Sequence, residues 1–193
     1  MNAKLLKVVF EGIVMSALSV ALTFLSRATI DGQLNLALLP LLLFAFRQGT
    51  VFAVGAGVLT GIIHWLFFGM TMDVSVALLL YFLPYVLVGI AGFFARNVVR
   101  TAFNRRLGAT TLNLVTGTLL VGVGSWLLQS LALSLSQKTA WMTALSTTWV
   151  YSLGWTVALA LFFSVLVRVV PDLYVPKKTR FLSRREQSHL LND

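Results

Sequence analysis

Runs of apolar residues occupy Val8 to Leu25, Leu34 to Phe46, Val51 to Phe68, Val74 to Ala95, Leu112 to Leu135 and Thr147 to Val170. A bilayer core of about 30 Å needs roughly 20 apolar residues per crossing helix. Lipid offers no partner to backbone amides, so spanning elements must be helices or a closed barrel. These runs are long and do not alternate with period two, which selects helices. Only 11% of the 193 residues are charged, against roughly 25% in a soluble domain, and an ordinary soluble fold is thereby excluded.

The pattern predicts an all-α integral membrane protein, a bundle of six transmembrane helices forming one domain over residues 1–193. The spans fall at about 8–25, 30–47, 51–68, 74–95, 112–135 and 147–170, and residues 171–193 form a basic tail. The second run is short: its apolar stretch rises only about 20 Å. It therefore either starts earlier or is screened from lipid by neighbours, and Pro40 within it predicts a kink. Arg47, Gln48 and Gly49 set a turn that keeps the second and third runs apart. The first run has no small-residue cleavage site behind it and reads as a retained helix rather than a signal peptide.

Lysine and arginine set orientation, because cytoplasmic loops carry their excess. One side collects Lys4, Lys7, Arg47, Arg96, Arg100, Arg105, Arg106, Arg168, Lys177, Lys178, Arg180, Arg184 and Arg185, and the other only Arg27 and Lys138, a split of 13 to 2. Both termini are thus expected in the cytoplasm of a cell whose plasma membrane the chain crosses. This asymmetry accounts for the net charge of +9, so nucleic acid is not an expected partner. Anionic lipid headgroups are natural neighbours of the Arg96 to Arg106 loop and the tail. Trp65, Trp141, Trp149 and Tyr174 are expected as interfacial anchors.

Intramembrane ionisable groups usually mark function, and here they are scarce. Of the acids Glu11, Asp31, Asp73, Asp172, Glu186 and Asp193, only Glu11 lies within a span, and His64 is the one intramembrane histidine. No nucleophile with its base and no metal-ligand cluster can be assembled, and without cysteine there are no disulfides or thiolate sites. An enzyme, a metal site and a bound cofactor are not expected. Buried acids of the kind that couple transport to protons or sodium are missing too, so energy for uphill transport would come from a partner.

What remains is aromatic and amide-bearing. Tyr81 and Tyr85 share a face of the fourth span, Trp126 and Gln129 lie three apart on the fifth, and Tyr151, Trp155 and Thr156 open the sixth. Singly, each suits an interfacial anchor or an interhelical hydrogen bond; together they suit a pocket for a planar heterocycle. Small residues form two further faces, Ala17 and Ala21 flanked by Ser16 and Ser19 on the first helix, and Gly55, Gly57 and Gly61 on the third. Such faces permit close helix approach, within the chain or to another protein.

The stretch GQLNLALLPLLLFAFRQGTVFAVGAGVLTGIIHWLFFG, Gly32 to Gly69, resembles the thiamine-specific substrate-binding subunits of energy-coupling factor (ECF) transporters. Pro40, the Phe46-Arg47-x-Gly49 turn, Gly57 and Gly61 match that family's order of elements. So do Glu11 before the alanine-rich first helix, Leu78 to Tyr81 followed by Gly89 and Gly92, and Tyr151-Ser152-Leu153. The resemblance implies a six-helix substrate-specificity subunit (S component) that binds a small vitamin from outside. Delivery would follow association with a transmembrane coupling protein and two ATPase subunits, as in an ABC importer. It assigns Ala17 and Ala21 to the coupling-protein contact, and a loop over about Ser26 to Asn35 to closure of the site.

Departures from the family bear on the ligand. Where the thiamine binders carry an acid before the fourth-helix tyrosine, this chain has Leu80; their fifth-helix histidine falls at about Gln129, and a sixth-helix asparagine at Thr156. A positive ligand without a counter-charge is costly to desolvate, which argues against unmodified thiamine. A smaller neutral relative, a hydroxymethylpyrimidine or a pyridoxine-like ring, fits the remaining groups at least as well. Arg27 leaves an anionic vitamin open, although an outer-loop arginine is ordinarily just solvated. A self-sufficient small secondary transporter and a ligand-free membrane scaffold are the alternative readings.

Overall fold

The computed structural model describes residues 3–29, 36–176 and 181. These form seven helices: α1 (Ala3–Thr29), α2 (Leu38–Gln48), α3 (Thr50–Gly69), α4 (Val74–Gly92), α5 (Ala95–Phe103), α6 (Leu107–Gln137) and α7 (Trp141–Val169), then a 3-10 turn, Pro171–Tyr174. Among the described residues there is no strand. Helices α1, α3, α4, α6 and α7 are each long and apolar enough to cross a bilayer, whereas α2 is shorter. Large apolar side chains such as Phe10, Phe93, Leu112, Leu161 and Val169 face outward, as lipid-facing positions of a membrane bundle do.

Helix α2 covers most of the described part of the short second run. Its 11 residues rise about 16 Å, half a bilayer core, and Leu38, Leu41, Leu42, Phe44, Ala45 and Phe46 are all buried. Neighbours screen it: the Ser19 hydroxyl of α1 donates to the Ala37 carbonyl at its start, 2.7 Å away. Pro40 does not kink the helix. It occupies the third helical position, where an N–H has no intrahelical acceptor to lose. Gly49 then reverses the chain at φ 86°, ψ 177°, a region essentially reserved for glycine, so α2 and α3 stay separate.

Glycines bring α3 close to α4. A Cβ on Gly57 would collide with the Tyr85 backbone carbonyl, and one on Gly61 would lie 2.8 Å from Phe82 Cδ2. Gly55, expected on the same packing face, instead looks into open space. Both helices depart from α geometry near one end, α3 as a π-turn at Trp65–Gly69 and α4 as another at Leu78–Phe82. In α4 the cause is local: Pro84 has no N–H to offer the Leu80 carbonyl, and the ladder widens before it.

The Arg96 to Arg106 segment, expected as a loop, is largely helical. In α5, Ala95, Val98, Val99 and Ala102 are buried while Arg96 and Arg100 face out, the spacing of a one-sided amphipathic helix. Helices α6 and α7 form an antiparallel hairpin turning at Lys138, whose φ of 53° closes the end of α6 through an N–H bond to the Ser134 carbonyl. Trp141 and Trp149 are exposed as interfacial anchors would be, and Trp65 is half-buried. Tyr174 is not an anchor: it is wholly buried, and burial pushes its phenol above the ordinary tyrosine range.

Charges gather at the two ends of the bundle. Lys7, Arg47, Arg96, Arg100, Arg105, Arg106 and Arg168 lie at one end, Arg27 and Lys138 at the other, seven against two among the described side chains. At the cation-rich end Arg47 Nη1 approaches Glu11 Oε1 at 2.6 Å, and Gln48 Nε2 donates to Glu11 Oε2 at 2.8 Å. The arginine contact is held by charge rather than by an aligned hydrogen bond. An exposed pair, Arg105 with Asp172 at 3.1 Å, joins the α5–α6 turn to the 3-10 turn and adds little stability in its exposed position.

Candidate functional site

A cavity of about 450 Å³ lies toward the cation-poor end, between α1, α4, α6 and α7. This volume is in the range that holds a vitamin-sized ligand. Helix α1 contributes Thr23, Ser26 and Arg27; α4 contributes Leu80, Tyr81 and Tyr85; α6 contributes Gln129, Leu133 and Ser136; α7 contributes Thr147, Thr148, Tyr151 and Ser152. The π-turn of α4 carries Leu80 and Tyr81 into the wall, a placement such turns often have at functional sites.

At the mouth, Arg27 Nη2 donates to the Tyr81 hydroxyl at 2.9 Å. The guanidinium carbon sits 3.8 Å from the centroid of the Phe68 ring, which the π-turn of α3 presents, and the contact is a cation–π one. Deeper, the buried His64 ring stacks on Tyr85, centroids 4.4 Å apart. His64 Nδ1 lies 2.9 Å from the Thr60 carbonyl; a carbonyl only accepts, so that nitrogen carries a hydrogen. Nε2 then faces the Thr23 hydroxyl at 2.7 Å, and this contact ties the polar end of α1 to the ring beneath the cavity.

Between α6 and α7 a polar ladder continues away from the mouth. Ser152 Oγ donates to Gln129 Oε1 at 3.3 Å, and Trp126 Nε1 donates to Thr148 Oγ1 at 3.1 Å. Thr156 Oγ1 donates to the Ser152 carbonyl at 2.7 Å and packs against Gly122, where a Cβ would collide with it.

Four of the seven residues expected at a pocket, Tyr81, Tyr85, Gln129 and Tyr151, line this cavity. Trp126, Trp155 and Thr156 do not; they border a separate crevice of about 20 Å³ that shares only Gln129 and Ser152 with the cavity, room for about one water. Of the α1 wall, the sequence pointed only to Arg27, which left an anionic vitamin open. Thr23, Ser26 and Arg27 are spaced i, i+3, i+4 at the end of an otherwise apolar helix, a polar stripe on one face. Among the described lining residues there is no carboxylate, and no cluster of potential metal ligands occurs among the described residues. The loop expected to close the site lies mostly in residues 30–35, outside the described ones.

Comparison with known proteins agrees with this architecture. A solved structure of ThiT from Listeria monocytogenes superposes with a TM-score of 0.78 at 21% identity, over 90% of this chain and 100% of that one, and so shares the fold. Among curated proteins none matches. The family model described as thiamine transporter protein (Thia_YuaJ) matches residues 9–181, as the resemblance read from Gly32 to Gly69 implied. The chain is therefore a multi-pass protein of the cell membrane and belongs to the thiamine transporter protein family.

Proposed function

We propose that this chain is the substrate-specificity subunit of an ECF-type importer, which binds a small thiamine-related heterocycle, a hydroxymethylpyrimidine or a pyridoxine-like ring in the cavity among α1, α4, α6 and α7. The observation that carries this reading is the cavity itself. It is vitamin-sized, walled by tyrosines, hydroxyls, one amide and Arg27, and set at the cation-poor end of the bundle. By the distribution of positive charge, that end faces outward and both termini face the cytoplasm. Helix α2, screened from lipid by its neighbours, counts as the sixth span, and residues 1–193 form one domain with a basic cytoplasmic tail from 171.

Trp126, Trp155 and Thr156 support the site from behind. Ala17 and Ala21 are exposed on α1 while Ser16 and Ser19 turn inward, Ser16 donating to the Ala56 carbonyl at 3.1 Å. That arrangement suits a contact of the alanine face with a transmembrane coupling protein, and two ATPase subunits would supply the energy. Reconstitution tests the proposal. Vesicles containing the chain alone should bind ligand without accumulating it, and accumulation should appear when the coupling protein, the ATPases and ATP are added. Accumulation by the chain alone under an ion gradient would instead identify a self-sufficient secondary transporter, and absence of any ligand would identify a scaffold.

A further inference from the structure

The cavity walls carry one formal charge among the described residues, and it is positive. Among the described residues Arg27 is held by two aromatic rings rather than by a carboxylate: its Nη2 donates to Tyr81 at 2.9 Å and its guanidinium carbon lies 3.8 Å over Phe68. A carboxylate partner would cancel the cation's field at the mouth, whereas rings and a phenol position the guanidinium and leave its charge in place. Tyr81 takes one of the five N–H donors a guanidinium offers. Of the hydroxyls lining the same cavity, those of Ser26, Ser136 and Thr147 donate to carbonyls of their own helices, while the Tyr151 phenol is placed to donate to a further oxygen of an anionic group. Position 80, next to Tyr81, is leucine, so the α4 wall brings no acid to favour a cation.

From this juxtaposition we infer that Arg27 is a charge-selecting residue, and that the cavity takes a heterocycle bearing an anionic substituent, a phosphate or carboxylate, in preference to the cationic or neutral parent ring. From the exposed mouth, a guanidinium with no carboxylate partner among the described residues repels a ring cation and attracts an anion. A charge-assisted bond to the guanidinium adds specificity, through paired N–H···O contacts that a lysine ammonium cannot reproduce. The inference rests on the reading of this cavity as the ligand site.

The test is titration of the purified, ligand-stripped full chain, followed by tryptophan fluorescence, with two matched pairs: thiamine and thiamine monophosphate, and hydroxymethylpyrimidine and its phosphate. Each phosphate is expected to bind about tenfold or more tightly than its parent. Arg27→Gln should bring each pair to within about twofold, and Arg27→Lys should retain part of the preference. The inference is overturned if thiamine binds as tightly as its monophosphate in the wild type, or if the preference survives Arg27→Gln. It is overturned equally if Asp31→Asn abolishes thiamine binding, since a carboxylate would then serve the site after all. Binding of none of the four probes would overturn the reading of the cavity as a ligand site, and the charge selection with it.

Discussion

Replacing Glu11 by glutamine tests how the cation-rich end of the bundle holds α1 in place. Arg47 Nη1 lies 2.6 Å from Glu11 Oε1, a gross attraction of about 6 kcal/mol at an effective dielectric constant of 20, most of it offset by the desolvation of both ions. Removing one partner leaves the other charge stranded, at a cost of about 3 to 5 kcal/mol where burial is complete. Here the side chains keep 20% and 23% of their exposure, so water and headgroups recover part of the loss, and about 2 to 3 kcal/mol is expected. Glutamine preserves the side chain's shape and its acceptor for Gln48, so the loss isolates the charge. Thermal unfolding in detergent should fall by about 5 to 10 °C. Arg47→Gln should cost a similar amount, and the double variant less than the sum. Ligand affinity should not change, because Glu11 and Arg27 lie about 24 Å apart along α1. Additive losses, or a shift below about 1 °C for Glu11→Gln, would refute the argument.

Gly57→Val should destabilise the protein by about 1 to 3 kcal/mol and weaken ligand binding, because the new side chain drives Tyr85 and α4 away; Gly55→Ala, facing open space, should leave both unchanged or raise the unfolding midpoint slightly. Thr23→Val strands His64 Nε2 and should cost about 1 to 3 kcal/mol, read from unfolding curves. Gln129→Ala and Tyr151→Ala should lower affinity at least about tenfold with the fold intact, whereas Thr156→Val, behind the cavity, should bind within about twofold of wild type by calorimetry. Ala17→Trp and Ala21→Trp should bind ligand normally yet fail to copurify with the coupling module.

Much of this was legible in the apolar runs, since a helix that crosses lipid must be long, apolar and free of stranded charge. The exceptions have physical causes. Helix α2 escapes the length rule because Leu41, Phe44 and Phe46 pack inside the protein instead of meeting lipid. Helix α5 looked like a loop because its arginines drew attention from the buried stripe Ala95, Val98, Val99 and Ala102. The π-turns at Trp65–Gly69 and Leu78–Phe82 depend on tertiary packing and on Pro84, and residue type alone does not specify them.

The candidate site was half legible. Aromatic and amide residues near the far end of α4, α6 and α7 pointed to it, but Trp126 and Trp155 lie about one turn further from the mouth than Gln129 and Tyr151, roughly 5.4 Å along their helices. Thr156, five residues from Tyr151, points about 140° away from it at 3.6 residues per turn. Arg27 left an anionic vitamin open, with a solvated loop charge as the ordinary reading, because nothing in the linear sequence places Phe68 and Tyr81 beside it; the two π-turns do that.

We read the cavity among α1, α4, α6 and α7 as a receptor site for one small heterocycle. Native mass spectrometry of the chain purified from its own membrane, beside the Gln129→Ala and Tyr151→Ala variants, measures this directly. One heterocycle of vitamin size per wild-type chain is expected, lost or greatly reduced in both variants. A wild-type protein that carries nothing after purification and takes up no heterocycle offered to it, or variants that hold the ligand as fully as the wild type, would contradict it.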